Sequence, residues 1–136
     1  MTKVIINIDV PNLDAGVTFY TTGLGFELRR TLFQRSVAEL MLGDAVVHLI
    51  EQNEGTKPFP AASKSRTFER HWTPVHVDFV VDDMTTAAKK AIEAGAVQSG
   101  EATTHSWGIL TPLSDPFGHG ICLLQFSPSG YHSVAD

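Results

Sequence analysis

Residues 4–10 read VIINIDV, and residues 75–81 read VHVDFVV. In the first stretch Val4, Ile6, Ile8 and Val10 alternate with Ile5, Asn7 and Asp9, and a period of two marks a strand with one apolar face. In the second, Val75, Val77, Phe79 and Val81 form the apolar face, and His76, Asp78 and Val80 the other. The residues after each stretch also match. Asn12 stands where a helix N-cap belongs; Leu13, Val17, Tyr20 and Leu24 come next at helical spacing, and Gly25 closes the helix. Asp83 is the corresponding cap, Met84, Ala88, Ala91 and Ile92 supply the stripe, and Gly95 closes it. Position 5 falls on 76, 7 on 78 and 12 on 83, an offset of 71 that drops by one at the closing glycine. A strand, helix and glycine recurring at one offset identify an internal repeat.

Strands are predicted after each helix, over residues 28–33, 37–42 and 46–51 and again over 96–103, 107–113 and 120–126. The turns Gly43-Asp44 and Asp115-Pro116-Phe117-Gly118 join the last two of each set. Each half therefore reads as βαβββ, in an α+β fold of two modules, 1–51 and 72–126, with a tail over 127–136. Residues 52–71 contain Gly55, Pro58 and Pro60 and lack a periodic apolar face; a linker is the plainer reading, a lid the alternative. A module of this length buries little apolar surface by itself, so the two are expected to share a core.

Composition narrows the function classes. Hydrophobic residues make up 43% and charged residues 18%, which is ordinary for a folded domain. The net charge is −5 with no basic cluster, which argues against nucleic acid as a partner. No apolar run approaches the roughly 20 residues that span a bilayer. The first residues lack the pattern of a secretory signal, and Cys122 is the only cysteine, so a cytoplasmic location is expected.

The strand faces select candidate site residues. If the apolar face of each first strand covers its helix, Asn7, His76 and Asp78 lie on the opposite, concave face. An unpartnered polar group buried there costs about 1–3 kcal/mol, so three of them point to a polar cleft. His48 interrupts the apolar run 46–50 as His76 interrupts its own; each reads either as a hydrogen-bonded core residue or as part of a site. Glu39 lies between Ala38 and Leu40. Facing inward it would have a raised pKa suited to a general base, whereas the plainer reading is a charge on an exposed strand face. Trp107 either stacks on a planar ligand or plugs the end of the fold. Arg66 and Arg70 are candidate holders of an anionic substrate. Cys122, with apolar neighbours, reads as a core residue with a suppressed thiolate. No nucleophile elbow, phosphate loop or dinucleotide motif is present.

Three motifs carry a resemblance to a known superfamily: NLDAGVTFYTTGLGFEL from Asn12, VHVDFVVDD from Val75, and DPFGHGICLLQF from Asp115. They resemble the vicinal oxygen chelate superfamily, which includes glyoxalase I, extradiol dioxygenases, fosfomycin-resistance proteins and bleomycin-binding proteins. The resemblance implies two βαβββ modules forming an incomplete eight-stranded barrel around a cleft, and a homodimer. In metal-using relatives one ligand comes from the first strand and one from the last strand of each module. Carried over by position, these are Ile5, His48, His76 and Cys122. Ile5 has no donor, and Cys122 replaces a glutamate that also serves as base. Both departures argue against lactoylglutathione lyase activity and weigh against a metal, although His48, His76 and a Cys122 thiolate are possible zinc ligands.

Two functional readings result. In the first, an enzyme carries out proton transfer, isomerisation or lyase-type cleavage beside a carbonyl of a small metabolite. His48 and His76 are its acid/base pair or metal anchors, and Asn7 and Asp78 orient the substrate. In the second, a metal-free protein of the bleomycin-resistance type binds a small molecule in a pocket lined by Trp107.

Overall fold

The alternation around Ile8 is realised as strand β1, Ile6–Val10. It is two residues shorter at its start than the periodicity predicts. Its ladder begins at Ile6, paired with Val47, and Val4 and Ile5 before it are exposed. The computed structural model describes all 136 residues. It is α+β, and its backbone divides into two compact units, Met1–Glu69 and Arg70–Asp136.

In the first unit β1 is followed by helix α1 (Leu13–Thr18), a π-helical turn (Phe19–Gly23), β2 (Glu27–Leu32), β3 (Val37–Leu42) and β4 (Ala45–Glu51). The sheet order is β1-β4-β3-β2, with β1 parallel to β4 and the other pairs antiparallel. The Asn12 side chain accepts from the Ala15 N–H at 2.9 Å, as an N-cap does. The buried helix stripe differs from the expected one. Leu13 and Tyr20 are buried, but Val17 and Leu24 are only half-buried, and Gly16, Phe19 and Gly23 take their places. For Leu24 the π-turn is the reason: its wider winding rotates the residues after Thr18 relative to a regular α-helix. Gly16 adds to this, since a Cβ there would lie 3.1–3.2 Å from Val10 and Leu49, so the helix sits close on the sheet. Val10, Phe19, Tyr20, Ala38, Leu40 and Leu49 form the core, each at most 1% exposed.

Residues 52–69 pack with this unit, and Arg66 ties them down. Its Nε donates to Asp9 Oδ2 at 2.9 Å and its Nη1 to the Lys57 carbonyl at 2.9 Å, while its backbone pairs with Gly55 and Thr56. Arg66 is thus an internal fastening of the loop rather than a free substrate clamp.

The second unit contains β5 (Val77–Val80), α2 (Met84–Glu93), β6 (Val97–Gln98), β7 (Thr103–His105), β8 (Gly108–Ser114), β9 (Gly120–Phe126) and a terminal 3₁₀ turn (Gly130–Val134). Its order is β5-β9-β8-β6, and β7 also pairs with β8. β5 begins two residues later than the expected strand. The single strand expected over 96–103 is broken into β6 and β7. Pro112 of β8 stands opposite the gap and has no N–H to donate, so the ladder there is reduced to the bond from Ser99 N–H to the Pro112 carbonyl. Phe79 is buried, whereas Val80 on the other face of β5 is 63% exposed. The Asp115 carboxylate accepts from the N–H groups of Phe117 and His119 at 2.9 Å each, which fixes the β8–β9 turn. No helix is long and apolar enough to cross a membrane.

Candidate functional site

The register of the first sheet places four polar side chains in one row across the face opposite α1. Asn7 of β1 pairs with His48 of β4, His48 with Glu39 of β3, and Glu39 with Arg30 of β2. Residues directly opposite in a ladder share a face, so this row follows from backbone pairing alone. Asn7 is exposed, His48 half-buried and Glu39 buried.

Glu39 is the hub of the row. Its Oε2 lies 2.9 Å from His48 Nε2, its Oε1 accepts from Arg30 Nε at 2.8 Å, and Arg29 Nε is 3.7 Å away. Glu39 therefore does not lie on an exposed face, as its plainer reading has it. Nor is its pKa raised as a buried general base requires. The His48 hydrogen bond first, then that from Arg30, hold the carboxyl below its ordinary range, and outweigh the opposing effect of burial. An ionised carboxylate only accepts, so His48 Nε2 carries the proton and Nδ1 holds the free lone pair. Glu39 and Arg30 also line a groove of about 530 Å³ with Lys3, Ile5, Arg29 and Val46.

In the second sheet the equivalent row is Asp78, Cys122 and Pro112. His76 Nε2 lies 3.2 Å from Asp78 Oδ1, and both side chains are 39% exposed. The donor atoms of His76, Asp78 and Cys122 all lie within 4.8 Å of one another. The Cys122 thiol is buried and pushed up to about 11, by desolvation first and then by the charge and hydrogen bond of Asp78. Behind this cluster the Trp72 ring lies 5.4 Å from that of His76, and His71 and His119 are in contact through ring nitrogens 3.3 Å apart.

Trp107 stacks flat on His105, with centroids 4.6 Å apart and planes 4° from parallel, and Tyr131 of the terminal turn covers it at 5.7 Å. Sequence reasoning missed Arg30 as the partner of Glu39; the hairpin register that joins them depends on an irregularity between Leu28 and Arg30. It also gave no role to His119, whose contact with His71 depends on a bridge formed outside the strands.

The ligand set implied by the resemblance does not fit these residues as a whole. Ile5 offers no donor, and His48 Nε2 is engaged by Glu39.

A family model described as a glyoxalase-like domain matches residues 5–124. No curated protein sequence matches. Among solved structures, the chain is similar to a glyoxalase-related enzyme from Fulvimarina pelagi, with a TM-score of 0.70 at 15% identity, covering 91% of this chain and 87% of that one. It is also similar to a glyoxalase/dioxygenase from Nostoc punctiforme, with a TM-score of 0.69 at 20% identity over 90% and 89% of the two chains. A glyoxalase/bleomycin resistance protein from Albidiferax ferrireducens gives 0.64 at 16% identity over 90% and 97%. At these identities the likeness is one of fold.

Proposed function

Because the chain belongs to the glyoxalase-like domain family, we propose that it is an enzyme of the lyase or isomerase type that moves a proton at a carbon beside a carbonyl of a small metabolite. The 2.9 Å contact between His48 and Glu39 carries this reading. A carboxylate behind an imidazole fixes its tautomer and stabilises the imidazolium formed when it takes a proton. Here Glu39 orients and His48 Nδ1 is the base. Along the adjoining groove Lys3, Arg29 and Arg30 outnumber Glu39 and Asp44, a balance that suits a substrate carrying a carboxylate.

The test is exchange of the proton beside the carbonyl for deuterium, followed by ¹H NMR on a panel of 2-oxo acids in ²H₂O. Wild-type protein accelerates exchange for at least one member and His48→Ala abolishes that acceleration. Unchanged exchange in the variant removes His48 from the mechanism.

The apolar floor of the groove, Val4, Ile5 and Val46, favours a second reading as a binding protein without turnover. In that case a bound panel member retains its proton and His48→Ala leaves affinity within about threefold. We also propose, by likeness to the family and under either reading, a homodimer; sedimentation velocity checks it, and a monomer at every concentration removes the dimer alone.

A further inference from the structure

We propose that the second module holds a zinc-type divalent ion by itself, through His76 Nε2, the Asp78 carboxylate and the Cys122 thiolate, with a fourth position open. This goes beyond the proposed function and does not rest on it. It also departs from a ligand set shared between modules, since it uses Asp78 and leaves out His48.

The sheet register does most of the positioning. Asp78 and Cys122 are direct partners in the parallel β5–β9 ladder, so their side chains leave the same face side by side. His76, two residues before Asp78, projects from that face as well, and its imidazole already lies 3.2 Å from the carboxylate. Donors around a tetrahedral zinc ion, bound at about 2.0–2.3 Å, lie roughly 3.3–3.8 Å apart. The present spread of up to 4.8 Å closes to that with shifts of about 1 Å in side chains. His76 and Asp78 are free to make those shifts because they are partly exposed, whereas Cys122 is fixed within the sheet.

The donor set selects the metal. Imidazole, thiolate and one carboxylate suit zinc and its neighbours, whereas magnesium and calcium take oxygen ligands. Binding replaces the thiol proton, which leaves to solvent, so one proton is released as one metal–sulfur bond forms. Trp72 walls one side of the site. Gly120, two residues before Cys122, has no room for a Cβ, which would lie 2.5 Å from the indole. The indole is thereby held against His76 and can report on the ion.

The test uses the full chain, stripped with a chelator and titrated with Co²⁺ as a spectroscopic stand-in. The expected result is one equivalent bound with a thiolate-to-cobalt charge-transfer band, displaced by Zn²⁺. Cys122→Ser loses the band. His76→Ala and Asp78→Asn weaken Zn²⁺ binding by more than the roughly 10–100-fold typical of losing an outer partner of a ligand. His48→Ala leaves it within about threefold. Circular dichroism confirms that each variant is folded, and Cys122→Ala serves if the serine variant is not. Quenching of Trp72 emission by Co²⁺, absent in Trp72→Phe, is a second readout. Absence of the band and of stoichiometric Zn²⁺ uptake in wild-type protein overturns the proposal. So does a His48→Ala loss as large as that of His76→Ala, which would assign the ion to a set drawn from both modules.

Discussion

His48 and Cys122 occupy one position of the internal repeat: His48 pairs across a parallel ladder with Asn7, and Cys122 pairs in the same way with Asp78. The third strand then decides what each slot becomes. Opposite His48 stands Glu39, which brings Arg30 with it, whereas opposite Cys122 stands Pro112, which brings no charge. One backbone arrangement therefore carries an imidazole hydrogen-bonded to an ionised carboxylate in the first sheet and a neutral thiol beside a carboxylate in the second.

The Glu39 row makes stability depend on acid pH. A carboxyl with a depressed folded-state pKa stabilises the fold above its unfolded value and loses that stabilisation as pH falls through the folded value. Glu39→Gln is therefore expected to lower Tm at neutral pH. The gap between variant and wild type closes as pH falls from the unfolded value of about 4.3 down through the lower folded value, below which Glu39 is protonated in both states. Thermal unfolding by circular dichroism between pH 3 and 8 reads this directly (about five points suffice). A constant gap across that range would show that Glu39 acts through its shape and not its charge.

Cys122 should resist alkylation. With its thiol at about 11, roughly one molecule in ten thousand carries the thiolate at pH 7. Iodoacetamide labelling of metal-free protein, followed by mass spectrometry, is expected to be slow and to rise about tenfold per pH unit through pH 10. Asp78→Asn speeds it modestly, because burial is the larger cause and Asp78 the smaller. The same shift has a stability sign: a raised pKa stabilises the fold below the unfolded value near 9.0 and is lost as pH rises through about 11.

The repeat is legible in the sequence because period-two strands, N-caps and closing glycines are local signals. Asn12 and Asp83 need no tertiary partner to be recognised, and both cap as expected. The π-turn leaves only a faint trace, the one-residue shortfall between Gly25 and Gly95. An i→i+5 turn in the first helix accommodates that extra residue, and it moves burial from Leu24 to Gly23. The site is less legible. His48, His76 and Asp78 stand out as polar residues in apolar strands, but whether Glu39 is exposed or buried depends on ladder register across a hairpin. Arg30 looks like any surface arginine until that register is known.

Gly120 provides a packing test. An added Cβ would lie 2.5 Å from Trp72 and 2.7 Å from the backbone oxygen of His71, which accepts from the Gly120 N–H. A backbone atom cannot be moved aside as a side-chain tip can. Gly120→Ala is thus expected to destabilise by about 1–3 kcal/mol, the usual range for overpacking. It should also shift Trp72 fluorescence toward that of an exposed indole. Urea unfolding with the emission spectrum read in parallel checks both, and an unshifted spectrum with unchanged stability would show that residues 71–72 do not pack on β9.

Both modules anchor the start of their helix in the same way. The Leu13 N–H donates to Glu51 Oε2 at 2.7 Å, and the Met84 N–H, 71 positions on, donates to Gln125 Oε1 at 2.6 Å. The acceptor in each case comes from the module's parallel last strand, so the bond ties helix entry to sheet. Glu51 adds a charge at the positive end of α1, which is worth about 0.3–1 kcal/mol beyond the hydrogen bond itself. Glu51→Ala is expected to cost about 1–2 kcal/mol, and Glu51→Gln only the charge component of that. Gln125→Ala should cost about 1 kcal/mol, and Gln125→Glu should gain little, because the cap Asp83 already places a carboxylate at the start of α2. If Glu51→Gln is as damaging as Glu51→Ala, the carboxylate serves something other than the Leu13 N–H.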